Sequence, residues 1–447
     1  MSSAPKPLLL RLCETGAGKK VCSAINLQSD GHIAARMAPA TATLAPICVH
    51  NPSRSGEVDA LRCFAMLGVI AQHCHILPMG WIGVWLFYVI SGYVVTLSVL
   101  GSSTSEQSGL AGFASFMRRR AVRILPVYYG YCLVGLIVAA FVGARQDWFS
   151  LASLALFFNN IALIGGDGRI AGWPSGHLWT LSVEMQFYLL YGLALCLLPR
   201  RTTRALLIAL LVLCPIGRFM MAETLSGHNW PPLDAAFAVY AAPLLHFDSF
   251  AFGGLLAFTR LEGKGRLERI ARPLFLCGMS ALALYMAAYF AVNHAVRGER
   301  GLDIARNVIS GILIGEHRET FLYTAVALAM AGVVALAASG DRLVSPLLSL
   351  APLQWIGRIS YGGYVYHALA LKAVAMVLAA FGLAVRDGST ATHILLFLLG
   401  SALAICLAWL SFRWFERPIA RLSMRHPNTN PNTKAQGRLH RQGVAAL

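Results

Sequence analysis

The sequence predicts an all-α protein, a polytopic transmembrane helix bundle with about ten spanning helices plus one short re-entrant or partial helix. Of the 447 residues, 57% are apolar and only 13% are charged. Apolar runs of about 18 residues or more recur along most of the chain, and a run of that length crosses a hydrocarbon core as a helix. A helix also satisfies all of its backbone hydrogen bonds internally, as the absence of water in the core requires.

The formal net charge of +17 does not indicate a nucleic-acid-binding protein. The Lys and Arg residues stand between the apolar runs, which is typical of topology signals and of contact with anionic lipids. We therefore expect membrane lipids as partners and no nucleic acid. The ten cysteines show no CxxC pair and no metal-ligand spacing, so we expect no disulfide framework and no metal site.

The two ends of the chain differ from its middle. Residues 1–54 are mixed in character and contain no apolar segment followed by a cleavage site, which predicts a flexible cytoplasmic leader. Residues 421–447 are polar and basic and are predicted to be a disordered cytoplasmic tail. The segment 55–420 between them is predicted to be one membrane domain.

The spanning helices follow from the apolar runs in order. The first pair covers about 57–77 and 81–100, and a third at 121–143 follows a cluster of arginines. The run 150–164 contains two asparagines and is shorter than a usual crossing, which favours a re-entrant piece. The remaining spans are predicted at about 177–198, 205–221, 238–259, 270–292, 320–338, 359–382 and 391–414.

The distribution of positive charge gives the orientation. If the N-terminus is cytoplasmic and 150–164 does not cross, every dense basic cluster falls on the cytoplasmic side. We therefore expect a multi-pass protein of the cell inner (cytoplasmic) membrane with both termini in the cytoplasm. The clusters are Arg118–Arg123, Arg200–Arg204, Arg260–Arg272, Arg342 with Arg358, and the tail.

The first apolar run carries three ionisable residues on one helical side. Arg62 and His73 are eleven residues apart, which is about three turns and about 16 Å along the axis. Asp59 precedes Arg62 by three residues, so the two side chains can pair. If the helix begins at the membrane surface, His73 lies near the middle of the hydrocarbon core. Ionisable groups inside a membrane are costly and indicate a functional site.

Six motifs follow one another along the chain. Arg62 and His73 lie in DALRCFAMLGVIAQH, and Gly83-Val84 with Phe87 and Ser91-Gly92-Tyr93 follows. The others are RRAVRILP at 119–126, HLWTLSVEMQFY at 177–188, SYGGYVYH at 360–367 and FERP at 415–418. In this order the motifs resemble those of the membrane acyltransferase 3 family, and the resemblance covers about 55–420.

The resemblance implies an integral-membrane O-acyltransferase that moves an acyl group, commonly acetyl, from acyl-CoA to a hydroxyl of a sugar, glycan or glycolipid. The partners implied are acyl-CoA (acetyl-CoA) as co-substrate, with no bound cofactor, and a carbohydrate or lipid-linked acceptor. Because the chain ends shortly after its last apolar run, we expect no extracytoplasmic domain, and transfer would be completed within the membrane domain or with a partner. A proton- or anion-coupled secondary transporter using the same buried charges, and a non-catalytic scaffold or sensor, remain open alternatives.

The implied site has a donor side and a catalytic group. Arginines pair bidentately with phosphate, so the candidates for acyl-CoA binding are Arg62, Arg119, Arg120 and Arg123; arginines at a cytoplasmic helix end can also serve topology alone. His73 would accept a proton from the acceptor hydroxyl or hold the acyl group, unless it only ties helices together. The other catalytic candidates are Arg62, Asp59 and Glu184.

The remaining candidates lie on two later helices. Glu184 shares a helix face with His177 and Tyr188, where a carboxylate would orient His73, bind a sugar hydroxyl or pair with an arginine. Ser360, Tyr364 and His367 share another face. We assign these neighbours to the acceptor path, or to helix cross-links: His177, Tyr188, Ser360, Tyr364 and His367. We expect His75 to be structural, Asp248 to be a further buried acid, and Trp173 and Trp179 to be interfacial anchors.

Overall fold

The structure is a computed structural model of the chain. It describes residues 55–101, 109–298, 317–383 and 388–423, together with residues 301, 304, 308, 309, 311, 312 and 385. The predicted leader, and residues 424–447 of the predicted tail, lie outside the described residues. The described residues form helices and turns without any strand, which confirms the all-α class.

Sixteen α-helices make up the described part of the chain. In chain order they are α1 (Gly56–His73), α2 (Ile82–Leu100), α3 (Gly109–Phe141), α4 (Trp148–Ala155), α5 (Asn159–Ile164), α6 (Trp179–Leu197), α7 (Arg200–Gly227), α8 (Pro232–Ala241), α9 (Phe247–Glu262), α10 (Lys264–Arg297), α11 (Arg318–Ser339), α12 (Ser345–Leu348), α13 (Ala351–Arg358), α14 (Ser360–Ala380), α15 (Thr390–Ser411) and α16 (Arg417–Ser423).

Eight helices within the described residues are long and apolar enough to cross a membrane, namely α2, α3, α6, α7, α10, α11, α14 and α15. The pair α8–α9 adds a ninth if its bend of 70° is counted within one span. Helix α1 has 18 residues but carries three charged residues in its first two turns. The sequence predicts about ten crossings, and the tenth candidate, α1, is not among these eight or nine.

Two segments, 150–164 and 238–259, each form two helices instead of one. The run 150–164 forms α4 and α5, of 8 and 6 residues, separated at Phe157, whose φ is 57°. Neither piece is long enough to span, in agreement with a partial segment. The predicted span 238–259 is instead the bent pair α8–α9. Helices α3, α7 and α10 run past their apolar runs, since the flanking Arg and Lys residues are themselves good helix formers.

Helices α1 and α2 are offset from one another. The predicted first span 57–77 ends early, at His73, and the chain then turns back along α1. Gly80 and Gly83 lie so close to α1 that an added Cβ would be 2.1 Å from the Gly68 oxygen and 2.3 Å from the Ala65 oxygen. Helix α2 therefore begins beside the middle of α1, and the last turns of α1 project beyond it.

The basic clusters meet at one end of the bundle, which we call the basic end. It contains the start of α1, α3, α7 and α10 and the end of α2, α9, α11 and α13. That this end faces the cytoplasm stays a prediction. The contacts that define it join Arg120 to Ser98, Arg200 to the Leu100 carbonyl, Arg204 to Glu262, Arg272 to Asp341 and Arg358 to Asp59.

Helix α2 is the centre of the bundle and packs against α1, α6, α9 and α11. The large side chains at its start form an aromatic core in which the ring of Trp85 stacks on Tyr323 at 5.0 Å between centroids. Helices α7 and α10 keep most of their apolar surface exposed, as expected for helices that face lipid.

Candidate active site

A cavity opens among α1, α2, α3, α6 and α14 and encloses about 710 Å³, including the part open to solvent. Seven of the residues predicted from the sequence line it: Arg62, Arg120, Arg123, Glu184, Tyr188, Ser360 and Tyr364. The other lining residues are Val84, Phe87, Tyr88, Ser91, Val94, Ile124, Thr180, Leu181 and Tyr361.

The start of α1 fixes Arg62. Ser55 caps the helix by accepting a hydrogen bond from the Val58 amide at 3.2 Å. Arg62 Nη1 donates to Asp59 Oδ1 at 2.5 Å, as the i, i+3 spacing predicts. The Asp59 side chain is almost fully buried, and Arg358 Nε lies 3.8 Å from its other oxygen. The buried Asp59 carboxylate lies between two guanidinium groups and holds Arg62 in the lining of the cavity. One carboxylate with two guanidinium groups leaves a net positive charge there.

Helix α3 divides its arginines between two sides. The Arg120 guanidinium lies 5.3 Å from the Tyr188 ring centre, and its Nη2 donates to Ser98 Oγ at 3.3 Å. Arg123 lines the same cavity. The structure places Arg119 outside it: Nη1 donates to Ser115 at 2.7 Å on the exposed side of α3. Adjacent residues are about 100° apart on a helix, so Arg119 and Arg120 cannot face the same way.

Glu184 lines the cavity and connects α6 to α2. Its Oε1 accepts a hydrogen bond from Ser91 Oγ at 2.5 Å and another from the Tyr188 hydroxyl. Tyr188 in turn lies under Arg120, so a carboxylate, a phenol and a guanidinium form one connected group. The expected alternative, in which Glu184 orients His73, is not what the contacts give.

Three residues of the cavity lining, Phe87, Thr180 and Tyr364, contact one another through Tyr364, and we call them the wall. The hydroxyl oxygens of Tyr364 and Thr180 are 2.7 Å apart, and the Phe87 and Tyr364 rings meet edge to face with centroids 6.0 Å apart. Tyr364 is 6% exposed and Thr180 is 4% exposed. These contacts join α2, α6 and α14.

Three histidines gather on the far side of the wall. The ring centroid of His367 is 5.2 Å from that of His73 and 4.7 Å from that of His177. Tyr364 touches this cluster as well, with its ring 5.3 Å from His367. His177 Nδ1 and His367 Nε2 are buried and have no hydrogen-bond partner among the described residues. The predicted face of α14 is thus split, since Ser360 and Tyr364 line the cavity and His367 lies beyond the wall.

His73 itself is the last residue of α1, and its side chain is exposed. It does not line the cavity, so the predicted stripe from Arg62 to His73 is interrupted by Tyr364. His75 faces elsewhere, with its ring 5.6 Å from His393, as expected. In the part of the chain that the structure describes, no three His, Cys, Asp or Glu side chains are arranged to hold a metal ion.

A second buried charged group consists of Asp248, which is predicted from the sequence, and Arg218, which is not. Asp248 pairs with Arg218 through Nη2 and Oδ2 at 2.9 Å, and both side chains are fully buried. Thr324 donates to the same Asp248 oxygen at 2.9 Å. The sequence signal for Arg218 is one arginine inside an apolar run, which requires a partner. This group does not line the cavity.

The two tryptophans that are predicted to be interfacial anchors both pack on aromatic side chains. Trp179 is 8% exposed, and its ring packs on Tyr240 at 5.1 Å between centroids. Trp173 packs on Tyr131 at 5.2 Å. Trp179 is the first residue of α6, and Trp173 lies in the loop before it and is half-buried.

Comparison with known proteins gives relatives that include the following three. The chain is 25% identical over 346 residues to the O-acetyltransferase OatA of Staphylococcus aureus, covering 71% of this chain and 51% of the relative. It is 26% identical over 379 residues to the peptidoglycan O-acetyltransferase OatA of Listeria monocytogenes, covering 81% and 55%. It is 27% identical over 334 residues to the putative peptidoglycan O-acetyltransferase YrhL of Bacillus subtilis, covering 69% and 47%.

The chain spans about half the length of the curated relatives it matches. No solved structure matches it significantly. The family model described as an acyltransferase domain matches residues 55–413, which is most of the chain and includes the cavity, the wall and the histidines. The chain therefore belongs to the acyltransferase 3 family.

Proposed function

We propose that this protein is an integral-membrane O-acetyltransferase that moves an acetyl group from acetyl-CoA to a hydroxyl group of a glycan. The observation that carries the proposal is the cavity itself, which has three arginines at the basic end and a wall that separates it from three histidines. Two of the three relatives are named for peptidoglycan, so peptidoglycan is the first acceptor to test.

The donor enters from the basic end. Coenzyme A carries phosphate groups, and Arg62, Arg120 and Arg123 offer guanidinium forks that bind phosphate bidentately. Ser98, which contacts Arg120, is eleven residues from Phe87 along α2, a distance of about 16 Å. A donor held at Arg120 by its phosphates thus extends its thioester toward the wall.

The acceptor arrives from the histidine side, where the exposed ring of His73 is reached from outside the cavity. The acceptor oxygen attacks the thioester carbon while an imidazole, His73 in this proposal, accepts the hydroxyl proton. The carbon–sulfur bond then breaks, and the thiolate of coenzyme A leaves and takes up the proton. Because the wall lies between the two sides, Tyr364 has to give way for the reactants to meet.

The same proposal assigns the location. The protein is placed in the cell inner membrane with the basic end and both termini in the cytoplasm, in accordance with the excess of arginine at that end. Donor and acceptor then approach from opposite sides of one membrane.

The test uses purified full-length protein in liposomes, with acetyl-CoA, a soluble muropeptide acceptor, free-thiol detection and mass spectrometry of the product. We expect acceptor-dependent release of coenzyme A, and a loss of about a hundredfold or more in the His73→Ala variant. His75→Ala is the matched control, since it removes a neighbouring exposed histidine outside the cluster.

Undiminished product from a stably inserted His73→Ala variant would exclude His73 as the base. Uptake of a solute by the liposomes without any use of thioester would contradict the proposal and favour a transporter.

A further inference from the structure

The Tyr88 hydroxyl is the unpaired polar group of the cavity. Tyr88 lies on α2, is 2% exposed and lines the cavity, and its hydroxyl has no hydrogen-bond partner within the described residues. Buried hydroxyl groups are nearly always paired, so an unpaired one calls for an explanation. Among the described residues with an unpaired buried polar atom, Tyr88 alone also lines this cavity.

The ring of Tyr88 is held firmly. It stacks on Phe250 with centroids 4.4 Å apart and planes 23° apart, and it touches Trp85 at 6.1 Å. Phe250 is itself fully buried and stacks on Phe187 at 3.9 Å. A hydroxyl on a clamped ring is oriented before any ligand binds, which is the condition for stabilising a charge that develops during a reaction.

The position of Tyr88 identifies the part of the ligand that it meets. It follows the wall residue Phe87 directly, and it is one helical turn from Ser91, which holds Glu184. Arg120 contacts Ser98, ten residues further along α2 and about 15 Å away. Tyr88 therefore lies in the part of the cavity next to the wall, where the acyl group of a donor whose phosphates bind Arg120 would be.

We propose that the Tyr88 hydroxyl donates a hydrogen bond to the carbonyl oxygen of the acyl group and to the oxyanion that this oxygen becomes during transfer. The inference rests on the proposed function. When the acceptor oxygen attacks the carbonyl carbon, the π electrons of the carbonyl bond move onto the carbonyl oxygen. Tyr88 stabilises the negative charge on this carbonyl oxygen without giving up its own proton. When the carbonyl re-forms, the carbon–sulfur bond breaks and the thiolate leaves.

The test is Tyr88→Phe, which removes one oxygen atom and keeps the clamped ring. We expect kcat to fall about a hundredfold, the typical effect of losing one oxyanion donor. The KM for acetyl-CoA should stay nearly constant, and thermal stability should not fall, since the lost hydroxyl had no partner. Replacement of Tyr88 by 3-fluorotyrosine, which keeps the donor, should preserve kcat.

Tyr191→Phe is the matched control. Tyr191 is also buried between α2 and α6, but its hydroxyl is paired with Thr96 at 2.6 Å and does not line the cavity. We expect this variant to lose stability and to keep its kcat.

Two results would overturn the inference while leaving the proposed function intact: an unchanged kcat in Tyr88→Phe, or a rise in KM alone. If the wild-type protein released no coenzyme A when the acceptor was added, this result would refute both the role of Tyr88 and the proposed function.

Discussion

The hydroxyl oxygens of Tyr364 on α14 and Thr180 on α6 lie 2.7 Å apart, at the place where the cavity ends and the histidine cluster begins. Tyr364 also contacts the rings of His177 and His367 at 5.9 Å and 5.3 Å between centroids. One side chain thus touches both halves of the candidate site. In the proposed reaction, this contact keeps the thioester of the donor from solvent on the histidine side.

Removal of the Tyr364 side chain from the wall should increase hydrolysis of the donor relative to acetyl transfer. We expect Tyr364→Ala to admit water to the thioester, so that more coenzyme A is released per acetylated product, because closed active sites prevent hydrolysis of reactive groups. The ratio is measured by thiol detection and mass spectrometry in the same sample. Tyr366→Ala, on the same helix with its hydroxyl on Ser411, is the control for general loosening. A ratio equal to that of the wild type would show that the wall does not exclude water.

Two consecutive arginines on α3 offer an internal comparison. Arg120 lines the cavity, whereas Arg119 donates to Ser115 outside it. We expect Arg120→Gln to raise the KM for acetyl-CoA about tenfold or more, since a hydrogen bond to a charged group contributes about 1.5–3 kcal/mol. Arg119→Gln should leave that KM unchanged. Steady-state kinetics at two salt concentrations check both, and equal effects of the two substitutions would argue against a phosphate site at Arg120.

Helix α13 supports the start of α1 through one glycine. A Cβ on Gly357 would lie 1.7 Å from the main-chain oxygen of Asp59, so Gly357→Ala must push the two helices apart. We expect a loss of about 1–3 kcal/mol in the free energy of unfolding, the usual cost of overpacking. Activity should fall too, because Asp59 positions Arg62. Gly265→Ala at the start of α10 meets nothing within 4 Å and serves as the control. Equal thermal stability of the two variants would contradict the close contact.

Much of the fold follows from hydropathy alone, because lipid requires long apolar helices whatever their tertiary contacts. Hydropathy therefore predicts the positions of the long apolar helices and indicates that the run 150–164 is too short to cross. It fails at breaks caused by single backbone conformations. The turn after His73 depends on His75, a non-glycine residue with φ of 59°, and no hydropathy pattern reveals that turn.

In the candidate site too, some features follow from the sequence and others depend on tertiary contacts. Seven cavity residues were predicted by the family motifs, since those motifs name residues directly. The separation of His73 from Arg62 could not be predicted, because it depends on Tyr364 entering from a helix some 300 positions later in the chain. Tyr88 is not predicted as a site residue, because a tyrosine inside an apolar run is ordinarily a core residue. Only the absence of a hydrogen-bond partner for its hydroxyl within the described residues distinguishes it.

The buried pair of Arg218 and Asp248 should matter for stability and not for donor binding. Both side chains are fully buried, and neither lines the cavity. Replacing Asp248 with Ala leaves the Arg218 guanidinium buried without a carboxylate, although its hydrogen bonds to the Leu245 carbonyl and to Thr324 remain. Breaking a buried ion pair in this way typically costs about 3–5 kcal/mol. We expect a clear drop in the thermal unfolding temperature, with an unchanged KM for acetyl-CoA in the protein that remains folded.

The ion pair between the exposed Arg272 and the half-buried Asp341 provides a comparison with the fully buried pair. The hydrogen bond from Arg272 lowers the pKa of the Asp341 carboxyl, so any stabilisation is present above the unfolded-state pKa of that carboxyl and is lost as the pH falls. Since solvent reaches the Arg272 guanidinium and screens its charge, we expect Asp341→Asn to lower the unfolding temperature much less than Asp248→Ala at neutral pH. If Asp248→Ala proved as mild as Asp341→Asn, the fully buried ion pair would not be a principal tie between α7 and α9. An altered KM for acetyl-CoA in Asp248→Ala would instead connect this pair to the donor cavity.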